Sequence, residues 1–353
     1  MAKKFRLFFK TKLSPVTVTF FEEVGVDDGG LTREAFSKVF ATANREVLCG
    51  MENRFTLIHD KIKLEAGDFF IFGQMLSMAL LMGASGPHNL SKPFAEHLLS
   101  FKEPKSYDIK DVPVAEVQEK LVGIKNCQTK EELDDCFASF DERFEAGYNK
   151  MVLNMDEREH FCRLISRFFI VERNHAEISQ LLKGVHPDLL SLMRRFPEEG
   201  IKELVYTAKH IKASDITSNW IYDFSAPTSL KRKDENNIAF QWQQFLDELE
   251  DGQSRNVSYH PIGSPDDEIK TVKITIEDVL QFLTGSRFIP ALGFGKKGTV
   301  SFPLTTDKTS GTSATTSTCF LWLKIPVSEK YTTDRFADSF SEDIVQSPGF
   351  GRL

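Results

Sequence analysis

Apolar residues recur at helical spacing over most of the first two thirds of this chain, and in shorter, strand-like runs near its end. Residues 16–21 read as an opening strand. The turn Asp27-Asp28-Gly29-Gly30 then reverses the chain, and Thr32 is expected to cap a helix bearing Arg33, Glu34, Phe36, Val39 and Phe40. Residues 69–82 are apolar almost all round, which predicts a buried central helix ended by Gly83 and Gly86-Pro87. Residues 90–100 predict a short helix. Residues 128–196 predict amphipathic helices, with Phe137, Phe140, Phe144 and Tyr148 three or four residues apart, as are Phe161, Leu164, Ile165 and Phe168. The pattern continues over 187–194 and 198–208, parted by Pro197. Residues 238–249 form a further helix with Phe240, Trp242, Phe245, Leu246 and Leu249.

Residues 251–272 change character: Gly, Ser, Asn, Pro and Asp dominate, which marks a connector and the best domain boundary. A helix over 275–284 follows, then a strand near Val300-Ser301-Phe302. In the loop over 305–318, 10 of 14 residues are Ser or Thr, so loose packing is expected. An apolar strand then follows Cys319. The order of elements fits an α+β protein without internal repeats.

Composition narrows the function classes. A chain of 353 residues has room for two or three compact domains. A net charge of −7 leaves no basic stripe to replace phosphate counterions, so no nucleic-acid partner is expected. The densest basic run, Lys231-Arg232-Lys233, meets Asp234 and Glu235 at once. No run of 18 apolar residues exists, and the basic start at Lys3-Lys4 has no apolar segment after it, so neither a membrane span nor a signal peptide is expected. The 5 cysteines are odd in number and widely spaced, as free thiols of a reducing compartment would be; that predicts a cytoplasmic or nuclear location.

Cys319 stands apart among these thiols, at the start of an apolar strand and directly after small hydroxyl residues. A thiol so placed can be reached by another protein, and its thiolate is a good nucleophile. An inert structural thiol is the competing reading. Two other motifs fall away. Gly293-Phe294-Gly295-Lys296-Lys297-Gly298 matches a kinase Gly-rich loop, yet none of the kinase's further catalytic motifs follows it. No cysteines or histidines stand at metal-ligand spacing, and no cofactor is expected. Cys127 and Cys136 fall at apolar helical positions, where core packing is the simpler reading.

The segment around Cys319 resembles the catalytic segment of HECT-type ubiquitin ligases, keeping Thr318-Cys319-Phe320, then Leu323 and Pro326. Further segments resemble the family in the same order: Gly25-Val26-Asp27-Asp28-Gly29-Gly30-Leu31-Thr32-Arg33-Glu34; the apolar helix over 69–82; Phe282-Leu283-Thr284-Gly285-Ser286 with Pro290 and Gly293-Phe294; and a tail with Phe350 fourth from the end. The family's Leu-Pro before the Thr-Cys is absent, its Asn after the Phe is Leu321, and residues 125–185 lack its Pro-Gly-Gly pattern.

The resemblance implies a bilobal fold. A mostly helical larger lobe would span 1–250, with a subdomain at about 125–190 that docks a ubiquitin-conjugating enzyme. A flexible hinge would span 251–272, and a small mixed lobe carrying the thiol 273–353. It implies that Cys319 accepts ubiquitin as a thioester and passes it to a lysine of a protein substrate. Thr318 would support the thiol or hold its loop, and Phe350 would position the lobes or simply pack. Phe137, Phe140 and Phe144 would line the docking groove or the core. Substrate-recruiting domains are expected to be encoded elsewhere. Two alternatives stay open: a HECT-like module that binds ubiquitin or the conjugating enzyme without transfer, and a cysteine hydrolase, which lacks any histidine downstream of Cys319.

Overall fold

The computed structural model describes residues 19, 29–100, 104, 106–206, 211–253, 255–259, 269–290, 293–304 and 312–347. The fold is mixed α+β, and the chain divides into two compact units. Helix α1 (Gly30–Glu46) contributes residues as far as Lys38 to the second unit and residues from Val39 to the first. It begins at Gly30, so Thr32 lies inside it and is not its cap. Of the opening strand expected over 16–21 only Thr19 is described, and residues 27–28 of the turn lie outside the described residues.

The rest of the first unit runs from Val39 to Leu81 and from Gly86 to Thr207. A two-stranded hairpin joins β1 (Leu48–Met51) to β2 (Arg54–Leu57). Its two turn residues, Glu52 and Asn53, have φ of 51° and 59°, the hand of backbone that matches strand twist. The apolar helix is observed as α2 (Asp68–Leu81), with Phe69, Phe72, Met75, Leu76, Met78 and Ala79 buried. Helices α3 (Lys92–Ser100), α4 (Ala115–Asn126), α5 (Lys130–Ala138), α6 (Arg158–Ile170), α7 (His175–Gly184), α8 (Pro187–Arg195) and α9 (Pro197–Leu204) follow within the unit. Two glycines let α2 and α7 nearly touch. A Cβ on Gly73 would stand 2.2 Å from the Leu181 carbonyl oxygen, and one on Gly184 would stand 2.1 Å from that of Phe70.

Residues 125–190 fall within this first unit. Phe137, Phe140 and Phe161 form a buried cluster of edge-to-face rings 5.5 Å apart. The regular helical spacing expected over 137–148 is broken, because Ser139–Gly147 turns around the buried Arg143. The Arg143 guanidinium lies 4.4 Å from the ring centroids of both Phe137 and Phe144, and it donates to the carbonyl oxygens of Phe137 and Phe140. Phe137 and Phe140 are therefore core residues, whereas Phe144 is half exposed.

The second unit comprises residues 14–38, 82–85 and 208–353. Its sheet has the order β3-β6-β8-β7. Strand β3 (Trp220–Asp223) is followed by the long helix α10 (Arg232–Glu250), a hairpin of β4 (Arg255–Tyr259) and β5 (Lys270–Ile274), helix α11 (Ile276–Thr284), strands β6 (Gly298–Ser301), β7 (Thr315–Ser317) and β8 (Trp322–Lys324), and helix α12 (Phe336–Gln346). β6 runs parallel to β3 and β8, and β7 runs antiparallel to β8. Val300 and Leu323 point into a core built on Trp242, Phe245, Phe336 and Phe340, while Ile221, Trp322 and Lys324 face solvent.

This arrangement corrects the boundary expected at 251–272. Residues 208–250 share one core with the thiol-bearing strands: Trp242 packs 4.9 Å from the Phe340 ring centroid, and Asn237 donates to the Thr332 carbonyl oxygen. The breaker-rich stretch contributes both strands of the β4–β5 hairpin, whose end at Arg255 is tied to Glu248 and Asp338. Breaker residues lying between two paired strands and breaker residues in a linker share one composition, which does not separate the two. Residues 29–38 also count with the second unit, not with the 1–250 lobe expected from the sequence.

Candidate functional site: the Cys319 hairpin

Cys319 lies in the four-residue turn that joins β7 to β8, where Ser317 and Trp322 are the closing pair. It is therefore a turn residue, three positions before the strand it was expected to begin. The turn returns through Leu321, whose φ of 57° is left-handed, and whose side chain is nonetheless fully buried. A left-handed conformation favours Gly or Asn. Burial of the leucine offsets the backbone cost, about 1–2 kcal/mol, since a fully buried side chain of this size contributes about 1.5–3 kcal/mol.

Three attachments fix the hairpin within the second unit. At its base, the Ala314 amide donates to the Tyr331 hydroxyl oxygen at 2.6 Å and to Asp343 Oδ2 at 2.9 Å, while Tyr331 donates its proton to the same carboxylate. Lys330 completes this buried group at 2.7 Å from Asp343 Oδ1. Burial and the Asp343 carboxylate push the Tyr331 hydroxyl far up, so it stays a neutral donor. Midway, Thr316 Oγ1 donates to the Phe282 carbonyl oxygen at 2.8 Å. At the turn, the buried Arg33 donates through Nε to the Thr284 carbonyl oxygen at 2.8 Å and through Nη2 to that of Thr318 at 2.7 Å. Its guanidinium also stands over the Phe294 ring.

Arg33, Thr284 and Thr318 come from three segments far apart in the chain, and they meet beside the thiol. Gly30 and Gly285 make the approach possible. A Cβ on Gly285 would stand 3.1 Å from the Gly30 carbonyl oxygen, and Gly285 caps α11 with a φ of 80°. A Cβ on Gly30 would stand 2.5 Å from the Cys319 nitrogen and 2.6 Å from both the Thr318 carbonyl carbon and Oγ1. Gly30→Ala must therefore push the turn away. The expected cost is about 1–3 kcal/mol, together with faster modification of Cys319 by iodoacetamide. A melting curve and a labelling time course superimposable on the parent's would refute the close approach.

A cavity of about 570 Å³ opens beside the thiol. Leu31, Glu34 and Lys38 of α1 line one wall, Gln281, Phe282 and Gly285 a second, and the run from Ser313 to Cys319 a third, with Asp343, Gln346 and Ser347 at the end of α12. Cys319 is partly exposed on this cavity. On the solvent side, Phe320 and Trp322 are 50% and 46% exposed and 5.3 Å apart, with Lys296 and Lys324 over their rings. The turn thus presents its thiol between the cavity and an exposed aromatic pair.

The remaining thiols have different settings. Burial pushes the Cys162 thiol up to about 11 and raises those of Cys49 and Cys127. Alkylation needs the thiolate. At neutral pH, iodoacetamide is therefore expected to modify the partly exposed Cys319 well before Cys162, as peptide mass mapping would read; the reverse order would contradict the geometry.

Of the residues expected from the sequence, Thr318 is at the site, but its carbonyl oxygen carries the contact to Arg33 and its hydroxyl crowds Gly30. Phe350 lies outside the described residues. The Gly-rich loop is a turn leading into β6, with Gly298 packed under the Trp220 indole. Sequence reading missed Lys38, Tyr331 and Asp343. Lys38 could have been found from its spacing, four and eight residues on from Glu34 and Gly30 along one face of α1. Nothing in the sequence signals the Tyr331–Asp343 pair. Among the described residues no helix is long and apolar enough to cross a membrane, and no group of three metal-ligating side chains occurs. A scan against models of known protein families finds no match, and no curated protein matches the chain.

Proposed function

We propose that the chain is a HECT-type ubiquitin transferase that carries ubiquitin as a thioester on Cys319. The Cys319 thiolate attacks the carbonyl carbon of the thioester on a ubiquitin-conjugating enzyme. A new C–S bond forms, the old one breaks, and the donor leaves as a thiolate. One thioester replaces another, so the step is nearly thermoneutral and asks mainly for alignment. The lysine amine of a protein substrate then attacks the Cys319 thioester. Such chemistry needs no histidine beside the sulfur, and none lines the cavity among the described residues.

One observation carries this reading: a partly exposed thiol on a firmly anchored turn, open to a cavity on one side and flanked by exposed Phe320 and Trp322 on the other. Substrate can enter one face while a protein rests on the other. The three segments resembling the family, at Gly30–Arg33, Thr284–Gly285 and Thr318–Cys319, adjoin one another here, which a chance likeness of short motifs does not require. The reading brings with it a bilobal working arrangement in which the thiol meets donor and acceptor in turn, docking of the conjugating enzyme on residues 125–190, a transfer role for Phe350, and work in the cytoplasm or nucleus.

The test is a non-reducing gel of the protein with activating enzyme, a panel of conjugating enzymes and ubiquitin. A ubiquitin adduct that dithiothreitol removes is expected. A folded protein that forms no adduct with any conjugating enzyme would favour the binding-module alternative.

A further inference from the structure

Resting on the transferase reading, we propose that Lys38 is an internal acceptor of the acyl group on Cys319, with Glu34 as the carboxylate that orients its amine and takes its proton. Among the described residues lining the cavity, Lys38 alone carries an amine, and Glu34 stands beside it in the same wall. Both are partly buried, with side-chain exposures of 35% for Lys38 and 27% for Glu34, and the Lys38 ammonium bonds the Glu34 carboxylate.

Helix geometry aims this pair at the thiol. Gly30 abuts the Thr318–Cys319 backbone. Glu34 is one turn further along α1 and Lys38 two, on the same face, so the Lys38 Cα stands about 12 Å along the axis from the contact. Helical side chains lean toward the helix N-terminus. The Lys38 amine therefore extends back over Glu34, toward the sulfur, as its bond to that carboxylate records. An acyl group on Cys319 would project into the cavity this amine overlooks. A tethered nucleophile at such range holds a large advantage over an amine arriving from solution.

The step balances as follows. The Lys38 ammonium passes one proton to the Glu34 carboxylate, and the freed amine attacks the thioester carbonyl carbon. The C–N bond forms and the C–S bond breaks, its electron pair going to Cys319. The second amine proton reaches the sulfur as thiol, and Glu34 returns its proton to water. The product is an isopeptide on Lys38 that lies within the cavity and closes it to other acceptors.

The experiment charges the full chain with ubiquitin, removes the activating enzyme, and follows the thioester without added amine. The expected product resists dithiothreitol and leaves a diglycine remnant on Lys38, at a rate independent of protein concentration. Lys38→Arg should abolish that peptide and lengthen the thioester's life on the order of tenfold or more. Glu34→Gln should slow formation of the Lys38 isopeptide, most at low pH where a base is needed, and by more than it slows discharge to hydroxylamine, which is uncharged at neutral pH. Glu34→Asp should restore part of the loss. A charged parent whose thioester decays with no remnant on Lys38, or whose remnant forms at a rate rising with protein concentration, would overturn the proposal alone. A Glu34→Gln variant that cannot be charged would do the same, because the carboxylate would then serve the hairpin. A folded parent that never charges would instead remove the transferase reading on which it rests.

Discussion

Cys319→Ala is expected to abolish the ubiquitin adduct completely, and Cys319→Ser to replace it with one that survives dithiothreitol. The alanine variant lacks any atom able to carry the acyl group. The serine variant keeps the geometry but binds the acyl carbon through oxygen, and an oxygen ester is not exchanged by thiols. Neither change should disturb the fold. Cys319 is a turn residue, its side chain is partly exposed, and the three attachments of the hairpin run through Ala314, Thr316 and the Thr318 carbonyl. A melting temperature close to the parent's would establish that the loss is chemical. An alanine variant that still forms a thiol-sensitive adduct would move the acyl carrier to another cysteine. Cys49 and Cys136 would come next by exposure, since Cys127 and Cys162 are buried.

The parts of this fold legible in the sequence are those that local pattern controls. The apolar run over 69–82 is a buried helix ending where Gly83 takes a φ of 75°. Helix α11 begins at the capping pair Thr275 and Asp278, within one residue of its expected start. What local pattern could not supply was membership. Trp242 reads as the apolar face of an amphipathic helix, but only its packing against Phe340 assigns that helix to the thiol-bearing unit. The breaker-rich stretch after it reads as a linker because its composition does not show that the strands on either side of residues 260–268 pair with each other. The hydroxyl-rich run before Cys319 was expected to be loose. Its described end is a strand instead, because Thr316 and Ala314 find partners in Phe282, Tyr331 and Asp343.

The same division holds at the site. The lone thiol and its motif residues were visible at once. The cavity was not, because its walls come from four stretches of chain, with α1 and α12 at opposite ends of the sequence. The turn around Cys319 joins both levels. Leu321 departs from the Asn of the resembled family at a position whose backbone is left-handed, where Asn would be favoured. The departure is explicable from the fold, since the leucine side chain is fully buried in the unit's core.

Arg33→Leu is expected to have the largest effect on the hairpin of any change that leaves the thiol in place. The guanidinium is buried, and it bridges the end of α11 to the turn through the Thr284 and Thr318 carbonyl oxygens. A hydrogen bond from a charged donor contributes about 1.5–3 kcal/mol. Leucine supplies no donor, so both carbonyls would lose this partner, that of Thr284 in a buried setting. A total loss of about 3–5 kcal/mol follows, enough to lower the melting temperature by several degrees and to loosen the turn. Lysine carries the charge but lacks the fork that reaches two oxygens at once. Arg33→Lys should therefore keep one bond and recover only part of the stability. Adduct formation on Cys319 should fall in the same order, parent above lysine above leucine. A leucine variant with the parent's melting curve would show that the bridge contributes nothing to the fold. One that melts early yet charges at the parent rate would show that the chemistry does not depend on where this turn is held.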